Sequence, residues 1–330
     1  MFAITYRKVL LAIAGVVMIG SALIIAIFGL KLGIDFKGGA LTEVSYQEPP
    51  TQERLEMVVN EAVTDLGGFS VRASEVDAGG AAYLIRTRDL TDEERRSLHG
   101  AIVAEGSGTI ERFTSIGPVI GQELRDKAGW AIFSVVSIIV IYVAFAFAGI
   151  GVPVSSWTYG LVTIFVLVHD VLVPAALMSI LGYAAGIEVD VLFVMALLAV
   201  LGYSVNDTIV VFDRVRENLK QNRTEHRKKH TEPGGLEREE VTYTLTRPYD
   251  ELVGEAVQGT LARSINTSVT TLIVLAALYL FGGSVTQTFA LILFAGVLAG
   301  TYSSVCIASP LVVTYAAYKA QQASPIKTKK

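Results

Sequence analysis

The chain has 330 residues, of which 52% are hydrophobic, and its mean hydropathy of +0.51 is too high for an ordinary water-soluble protein. It also carries 27 basic and 31 acidic residues, which must therefore be segregated from the apolar runs. The net charge of −4 and the lack of a basic stripe interleaved with aromatic residues argue against a nucleic-acid-binding protein.

The first apolar run, residues 9–30, follows Arg7 and Lys8 and is long enough to cross a membrane as a helix. It is longer than the usual core of a signal peptide, and Lys31-Leu32-Gly33 is a poor cleavage site. We therefore expect residues 1–30 to form the N-terminus and a retained first transmembrane helix.

Residues 31–127 are predicted to form an α+β domain outside the membrane. Alternating apolar residues near 44–46 indicate a strand, and the apolar spacing of 55–66 indicates a helix. Alternation over 69–73 and 83–87, around a turn at 77–80, indicates a hairpin. Thr91 and Glu94 form a capping-box signature that opens a second helix, and a last strand runs over 109–114. The order βαββαβ is that of a ferredoxin-like domain, inserted between transmembrane helices 1 and 2.

Further apolar runs at residues 128–150, 157–181, 191–212, 264–281 and 289–317 complete a membrane α-helical protein with six transmembrane helices. Arg7, Lys8 and the basic stretch 214–263 mark the cytoplasmic side, whereas the connections 182–190 and 282–288 contain neither Lys nor Arg. We expect both termini and a loop at 213–258 to be cytoplasmic. Helices 2–6 then occupy residues 128–330.

The fourth run contains Asp207, a carboxylate whose insertion near a bilayer centre costs about 2.5–3.5 kcal/mol. By helix rise, Asp207 and Arg263 lie roughly 8 and 10 Å on the cytoplasmic side of the midplane, which would allow them to pair. An Asp that alternates between a paired and an unpaired state can load and release a proton. The alternatives are an Asp that only joins helices through a hydrogen bond, and an Arg that snorkels to lipid phosphates.

Other polar residues also interrupt the apolar runs. His169 and Asp170, in the third run, could relay protons or simply form an interhelical hydrogen bond. Four more residues are predicted to bond between helices or to line a narrow polar path: Ser204, Asn206, Asn266 and Thr267.

Several classes of active site are missing from the sequence. It has no Gly-x-x-x-x-Gly-Lys-Ser/Thr phosphate loop and no His-Glu-x-x-His helix, which argues against an ATPase and a zinc protease. Cys306 is the only cysteine, so an internal disulfide is impossible. We expect no enzymatic activity. Gly296 and Gly300 are spaced for close helix packing.

Five motifs, in order along the chain, resemble the SecF family. They stand at residues 33–39, 115–121, 168–170, 202–218 and 263–268. The resemblance implies the fold of half a resistance-nodulation-division (RND) transporter, with SecD resembling the other half. The family's intramembrane carboxylate and arginine match Asp207 and Arg263. This chain departs from the family at Lys37, where a small polar residue is more common, and in a longer loop at 219–257.

The resemblance also implies an accessory subunit of the Sec translocase in the bacterial cytoplasmic (inner) membrane. Such a subunit would use the proton-motive force, without a cofactor, to assist the late stages of protein export. Its implied partners are SecD, the SecYEG channel, the SecA motor, the translocating polypeptide, membrane lipid and, as further candidates, YajC and YidC. Two alternatives stay open: an RND-like half of a small-solute transporter, and a non-conducting scaffold of the translocon. The small outer domain favours contact with a polypeptide over solute export.

Overall fold

The computed structural model describes residues 2–75, 81–146, 153–231 and 237–323. The chain begins with a short helix, α1 (Phe2–Thr5), and the apolar helix α2 (Arg7–Phe28). Gly29, with φ of +68°, ends α2 and donates its N–H to the carbonyl of Ile25. A single helical turn, α3 (Ile34–Lys37), then leads into the outer domain.

The outer domain has the predicted ferredoxin-like order. Its elements are β1 (Gly39–Tyr46), α4 (Gln52–Ala62), β2 (Ser70–Glu75), β3 (Ala81–Thr87), α5 (Asp92–Ala104) and β4 (Thr109–Ile116). The strands form one antiparallel sheet in the order β2-β3-β1-β4. Leu55, Val59, Leu98 and Ile102 of the two helices are buried against one face of this sheet. The opposite face of the sheet, which includes Leu41, is available for contact with the membrane helices.

The local signals of this domain are found with small differences. The capping box of Thr91 and Glu94 is complete. The ion pair with Arg88 and the bond from the Thr91 backbone N–H lower the pKa of Glu94 to about 2. Helix α4 ends at Ala62, earlier than predicted, because Val63 already has an extended backbone. The predicted turn at 77–80 lies outside the described residues.

The remaining elements build the helical bundle. They are α6 (Pro118–Ala146), α7 (Ser156–Ala185), α8 (Val191–Gln221), β5 (Arg223–Thr231), β6 (Glu237–Leu245), α9 (Tyr249–Phe281), α10 (Ser284–Ser303), a π-helical segment (Ser304–Ala308) and α11 (Ser309–Ala323). The last three elements are consecutive, and together they contain the sixth long apolar helical stretch, Thr286–Gln322. The described residues therefore contain six helices long and apolar enough to cross a membrane, as predicted.

Two boundaries differ from the sequence prediction. Helix α6 begins at Pro118 rather than near 128, since Pro is favoured in the first turn of a helix. Much of the expected loop 213–258 is regular structure: α8 continues to Gln221, α9 starts after Pro248, and the hairpin β5-β6 lies between them. No Pro or Gly follows Phe212 before α8 ends, so nothing in that stretch breaks the helix.

Helices α7 and α8 form the centre of the bundle. Half of the most apolar stretch of each is buried, close to the 56% of the last stretch, Thr286–Gln322, and far above the 11% of α2 and α6. Helix α10 packs closely on α8 through its small residues, as their spacing predicts. A Cβ added at Gly300 would lie 3.1 Å from Ser204 Cβ, and one at Gly296 would overlap the side chain of Val200. The most deeply buried polar groups of the bundle lie next to this contact.

Candidate proton-coupling site

His169 and Asp170 form the buried core of a hydrogen-bond network. Both side chains lie on α7 and have no exposed surface. His169 Nδ1 is 2.8 Å from Asp170 Oδ1, and the hydroxyl of Tyr302 meets His169 Nε2. Both ring nitrogens of His169 therefore have a partner, the carboxylate at Nδ1 and the tyrosine hydroxyl at Nε2.

Two serines from other helices complete the network. Ser204 Oγ, on α8, donates to Asp170 Oδ2 at 2.5 Å, and Ser303 Oγ, on α10, donates to the same oxygen at 2.7 Å. Asp170 thus joins three helices, and its three partners satisfy the carboxylate with normal hydrogen-bonding groups. Ser303 and Tyr302 are the last two residues of α10 before the π-helical segment. Sequence reasoning missed both, because nothing in their spacing distinguishes them from other hydroxyl residues of the span.

Asp207 has very different surroundings. It lies one turn beyond Ser204 on α8 and is 4% exposed, but its Oδ2 atom has no hydrogen-bond partner among the described residues. The hydroxyl of Ser264 on α9 lies against the carboxyl group, yet this hydroxyl has no bond of normal geometry either. The described residues therefore include a saturated buried carboxylate, Asp170, and an unsaturated buried carboxylate, Asp207.

The expected pair between Asp207 and Arg263 is not formed in the described chain. The adjacent Ser264 is 2% exposed and faces the bundle, and successive helical residues point about 100° apart, so Arg263 is turned away and exposed. The depth estimate compared only the expected levels of the two residues along the membrane normal. It contained no information about rotation around the α9 axis.

Three other predicted polar residues are also exposed. Asn206 lies on α8, and Asn266 and Thr267 lie on α9. Thr267 Oγ1 donates to the backbone carbonyl of Arg263 at 3.0 Å, so this hydrogen bond does not involve the guanidinium group. We call Asn206, Arg263, Asn266 and Thr267 the polar face, because all four are exposed on the outside of this half-bundle. Asn206 directly precedes Asp207, and Arg263 directly precedes Ser264.

A second set of hydroxyl groups joins α8, α9 and α10 inside the bundle. Tyr203 Oη donates to Ser268 Oγ at 3.3 Å, and Thr301 Oγ1 donates to the same serine at 2.7 Å. Of the residues predicted to line a polar path, Ser204 lies inside the bundle and the other three lie on the polar face. Among the described residues, no three His, Cys, Asp or Glu side chains come together as a metal site.

Comparison with known proteins places this geometry in context. The family model "Protein export membrane protein SecD/SecF, C-terminal" matches residues 101–233 and 237–318, and the "SecD/SecF GG Motif" matches residues 23–50. The chain is 34% identical over 294 residues to protein translocase subunit SecF of Thermobaculum terrenum, covering 87% of this chain and 84% of that protein. It is 35% identical over 287 residues to SecF of Anaerolinea thermophila, covering 86% and 84%.

A longer relative carries the combined name SecDF. The chain is 35% identical over 265 residues to protein translocase subunit SecDF of Thermus thermophilus, covering 79% of this chain but 31% of that protein. A crystal structure of SecDF from the same organism, described as a translocon-associated membrane protein, superposes with a TM-score of 0.76 at 31% identity. That superposition covers 94% of this chain and 38% of the SecDF chain.

Proposed function

This chain belongs to the SecD/SecF protein-export family, and we propose that it works as a SecF subunit that couples proton movement to the late stages of protein export. A role as an accessory subunit of the Sec translocase follows from its SecF and SecDF relatives. The use of the proton-motive force and the residues that respond to it are our proposal.

The observation that carries the proposal is the unsaturated carboxylate of Asp207. A buried polar atom without a partner is costly, so a native protein that keeps one needs a reason for it. A group that takes up and releases a proton must avoid being locked in one state by strong hydrogen bonds. Asp207 meets this requirement, whereas Asp170 is held by three partners. We therefore assign proton loading to Asp207 and a supporting role to the His169-Asp170 network.

The polar face supports a partner next to Asp207. An exposed arginine, two amides and a hydroxyl on α8 and α9 would face lipid in an isolated half-bundle, which is unfavourable. We propose that SecD binds to this face, since SecDF relatives contain both halves in one chain. In our proposal the covering half turns the flexible Arg263 side chain towards Asp207 and forms the pair that is open in this chain alone. SecYEG, SecA, YajC and YidC are proposed as further members of the assembly.

We also propose that the chain lies in the bacterial inner membrane with both termini in the cytoplasm and the outer domain on the opposite side. The basic residues near the hairpin β5-β6 support this orientation. Single cysteines at Gln52 and Gln221, in a Cys306→Ser background, test it. Labelling of the Gln221→Cys variant by an impermeant reagent added outside intact cells would refute the orientation.

The decisive test of proton loading is export of a reporter protein into membrane vesicles that contain the chain with its SecD partner. Asp207→Asn keeps the shape of the side chain and removes titration, so we expect assembly to survive and stimulation by a proton gradient to be lost. Asp213→Asn is the matched control, because Asp213 lies on the same helix with a side chain that is 70% exposed. Full gradient stimulation with Asp207→Asn would leave the non-conducting scaffold as the better function.

A further inference from the structure

The connection between α7 and α8, residues 186–190, is attached to the outer domain by two arginines. We call this segment the connector. Arg72, on β2, donates from Nη1 to the carbonyl of Gly186 at 2.7 Å. Arg86, on β3, forms an ion pair with Glu188, with Nε and Oε2 3.0 Å apart. Both members of this pair are largely buried, at 17% and 23% side-chain exposure, so it is screened from water far more than a surface pair.

The segment that leads from α2 into the outer domain holds the connector from another side. Val189 N donates to the carbonyl of Lys31 at 2.7 Å, and Gly33 N donates to the carbonyl of Val189 at 2.8 Å. Leu32 and Val189 form a parallel β-bridge through these bonds. The connector is thus part of a small patch of sheet and is not a free loop.

The start of α8 is also capped from this segment. The first N–H groups of a helix lack partners within the helix. Asp190 Oδ1 accepts from Phe193 N at 2.9 Å, as an ordinary N-cap does, and Asp35 Oδ2 accepts from Val191 N at 2.8 Å. A carboxylate at the entrance of the outer domain therefore fixes the end of the helix that carries Asp207.

Arg72 and Arg86 carry like charges close to each other, and Glu188 is the carboxylate that pairs with Arg86. Burial lowers the pKa of Arg72, and the positive charge of nearby Arg86 lowers it further. Arg86 Nη1 is buried and has no hydrogen-bond partner among the described residues. Glu188 is thus the connector carboxylate that offsets two neighbouring guanidinium groups. Its loss would leave them facing each other with little screening.

From this geometry we propose that Arg72, Arg86 and Glu188 are positioning residues that couple the outer domain to the α7-α8 hairpin, so that the two move as one body. The proposal rests on the proposed function, because the hairpin carries Asp170 and Asp207. A helix transmits a displacement along its axis, and a connector of five residues with several attachments leaves little slack between helix and sheet. A change of packing at Asp207 then displaces the outer domain, where a translocating polypeptide would be met.

The experiment uses the full chain with its SecD partner in lipid nanodiscs. Glu188→Gln and Arg86→Gln are compared with Arg112→Gln. Arg112 pairs with Glu43 at 3.2 Å within the outer domain, so it is a control of the same residue type from the same sheet. Hydrogen exchange of peptides covering Gly33 and Val189 reports the attachment directly. Gradient-stimulated export, measured separately in sealed membrane vesicles that contain the same variants, reports the coupling.

We expect exchange at these amides to be at least tenfold faster in Glu188→Gln and in Arg86→Gln, and unchanged in Arg112→Gln. The first two variants should also lose gradient stimulation of export while they assemble normally. The double variant Arg86→Glu with Glu188→Arg restores the opposite charges and should recover protection, which separates a lost pair from misfolding. Unchanged exchange in Glu188→Gln would overturn the attachment.

Two export results distinguish this proposal from the proposed function. Faster exchange with full gradient stimulation, in a system that Asp207→Asn inactivates, would overturn the coupling role and leave proton loading in place. A wild-type protein without any gradient stimulation would overturn the proposed function and with it the coupling, while the exchange data would still decide the attachment.

Discussion

Replacement of Asp170 by Ala should destabilise the bundle strongly, because it removes the acceptor of three buried hydrogen bonds. His169, Ser204 and Ser303 would each lose their partner. Hydrogen bonds between membrane helices average about 0.6 kcal/mol, so the two that join α7 to α8 and α10 set a lower limit of about 1.2 kcal/mol. Removing one member of a buried ion pair, which leaves a charge uncompensated, costs about 3–5 kcal/mol in other proteins and sets the upper limit. We expect a loss between these limits.

The assay is unfolding of the purified chain in mixed micelles by increasing sodium dodecyl sulfate, followed by circular dichroism. Asp207→Ala is the matched control, because it makes the same change at a buried carboxylate of the neighbouring helix whose Oδ2 has no partner. We expect this variant to keep its stability or to gain some, since it removes an unsatisfied polar group from the interior. Asp170→Asn, which can still accept from both serines, should fall between the two.

The comparison can refute the reasoning in a definite way. A loss below about 1 kcal/mol for Asp170→Ala would show that the network contributes little to the packing of α7, α8 and α10. An equal loss for both alanine variants would show that burial of a carboxylate, and not its hydrogen bonds, decides the effect. Either result would remove the distinction between a saturated and an unsaturated carboxylate on which the site assignment depends.

Two further predictions concern close packing and pH. Gly296→Ala should lower the free energy of unfolding by about 1–3 kcal/mol, because a methyl group there overlaps Val200. Gly202→Ala is the control and should be tolerated, since no atom lies within 4 Å of the added Cβ. The micelle unfolding assay described above compares the two variants. Burial, and then the nearby Arg95 charge, lowers the pKa of His99, so the unfolded outer domain binds a proton more readily than the folded one. The stability from His99 is therefore complete above about pH 6.5 and is lost as the pH falls. The protection factors of outer-domain amides, which are corrected for the intrinsic pH dependence of exchange, should fall between about pH 7 and 5.5, and His99→Gln should abolish this change.

The linear sequence was sufficient for the features that depend on local pattern. The apolar runs predict six membrane helices because crossing a bilayer requires a minimum length of hydrophobic helix. The alternation around Val44 and the capping box at Thr91 predict the strands and helices of the outer domain, since both signals involve residues close along the chain. The sequence analysis missed the extension of α8 to Gln221 because it took the end of the apolar run as the end of the helix. A helix that leaves the membrane turns polar without ending, so hydropathy marks the membrane boundary and not the helix end.

The partners of each buried polar group were decided by the tertiary structure. Sequence reasoning singled out Asp170 and Asp207 but could not tell that one is saturated and the other is not. That difference arises because the close approach of α10 at Gly300 brings hydroxyl groups from separate helices to Asp170. The direction of Arg263 depends in the same way on the rotation of α9, which apolar composition does not specify. Hydrophobicity determines which segments enter the membrane, while the register and rotation of packed helices determine which polar atoms meet there.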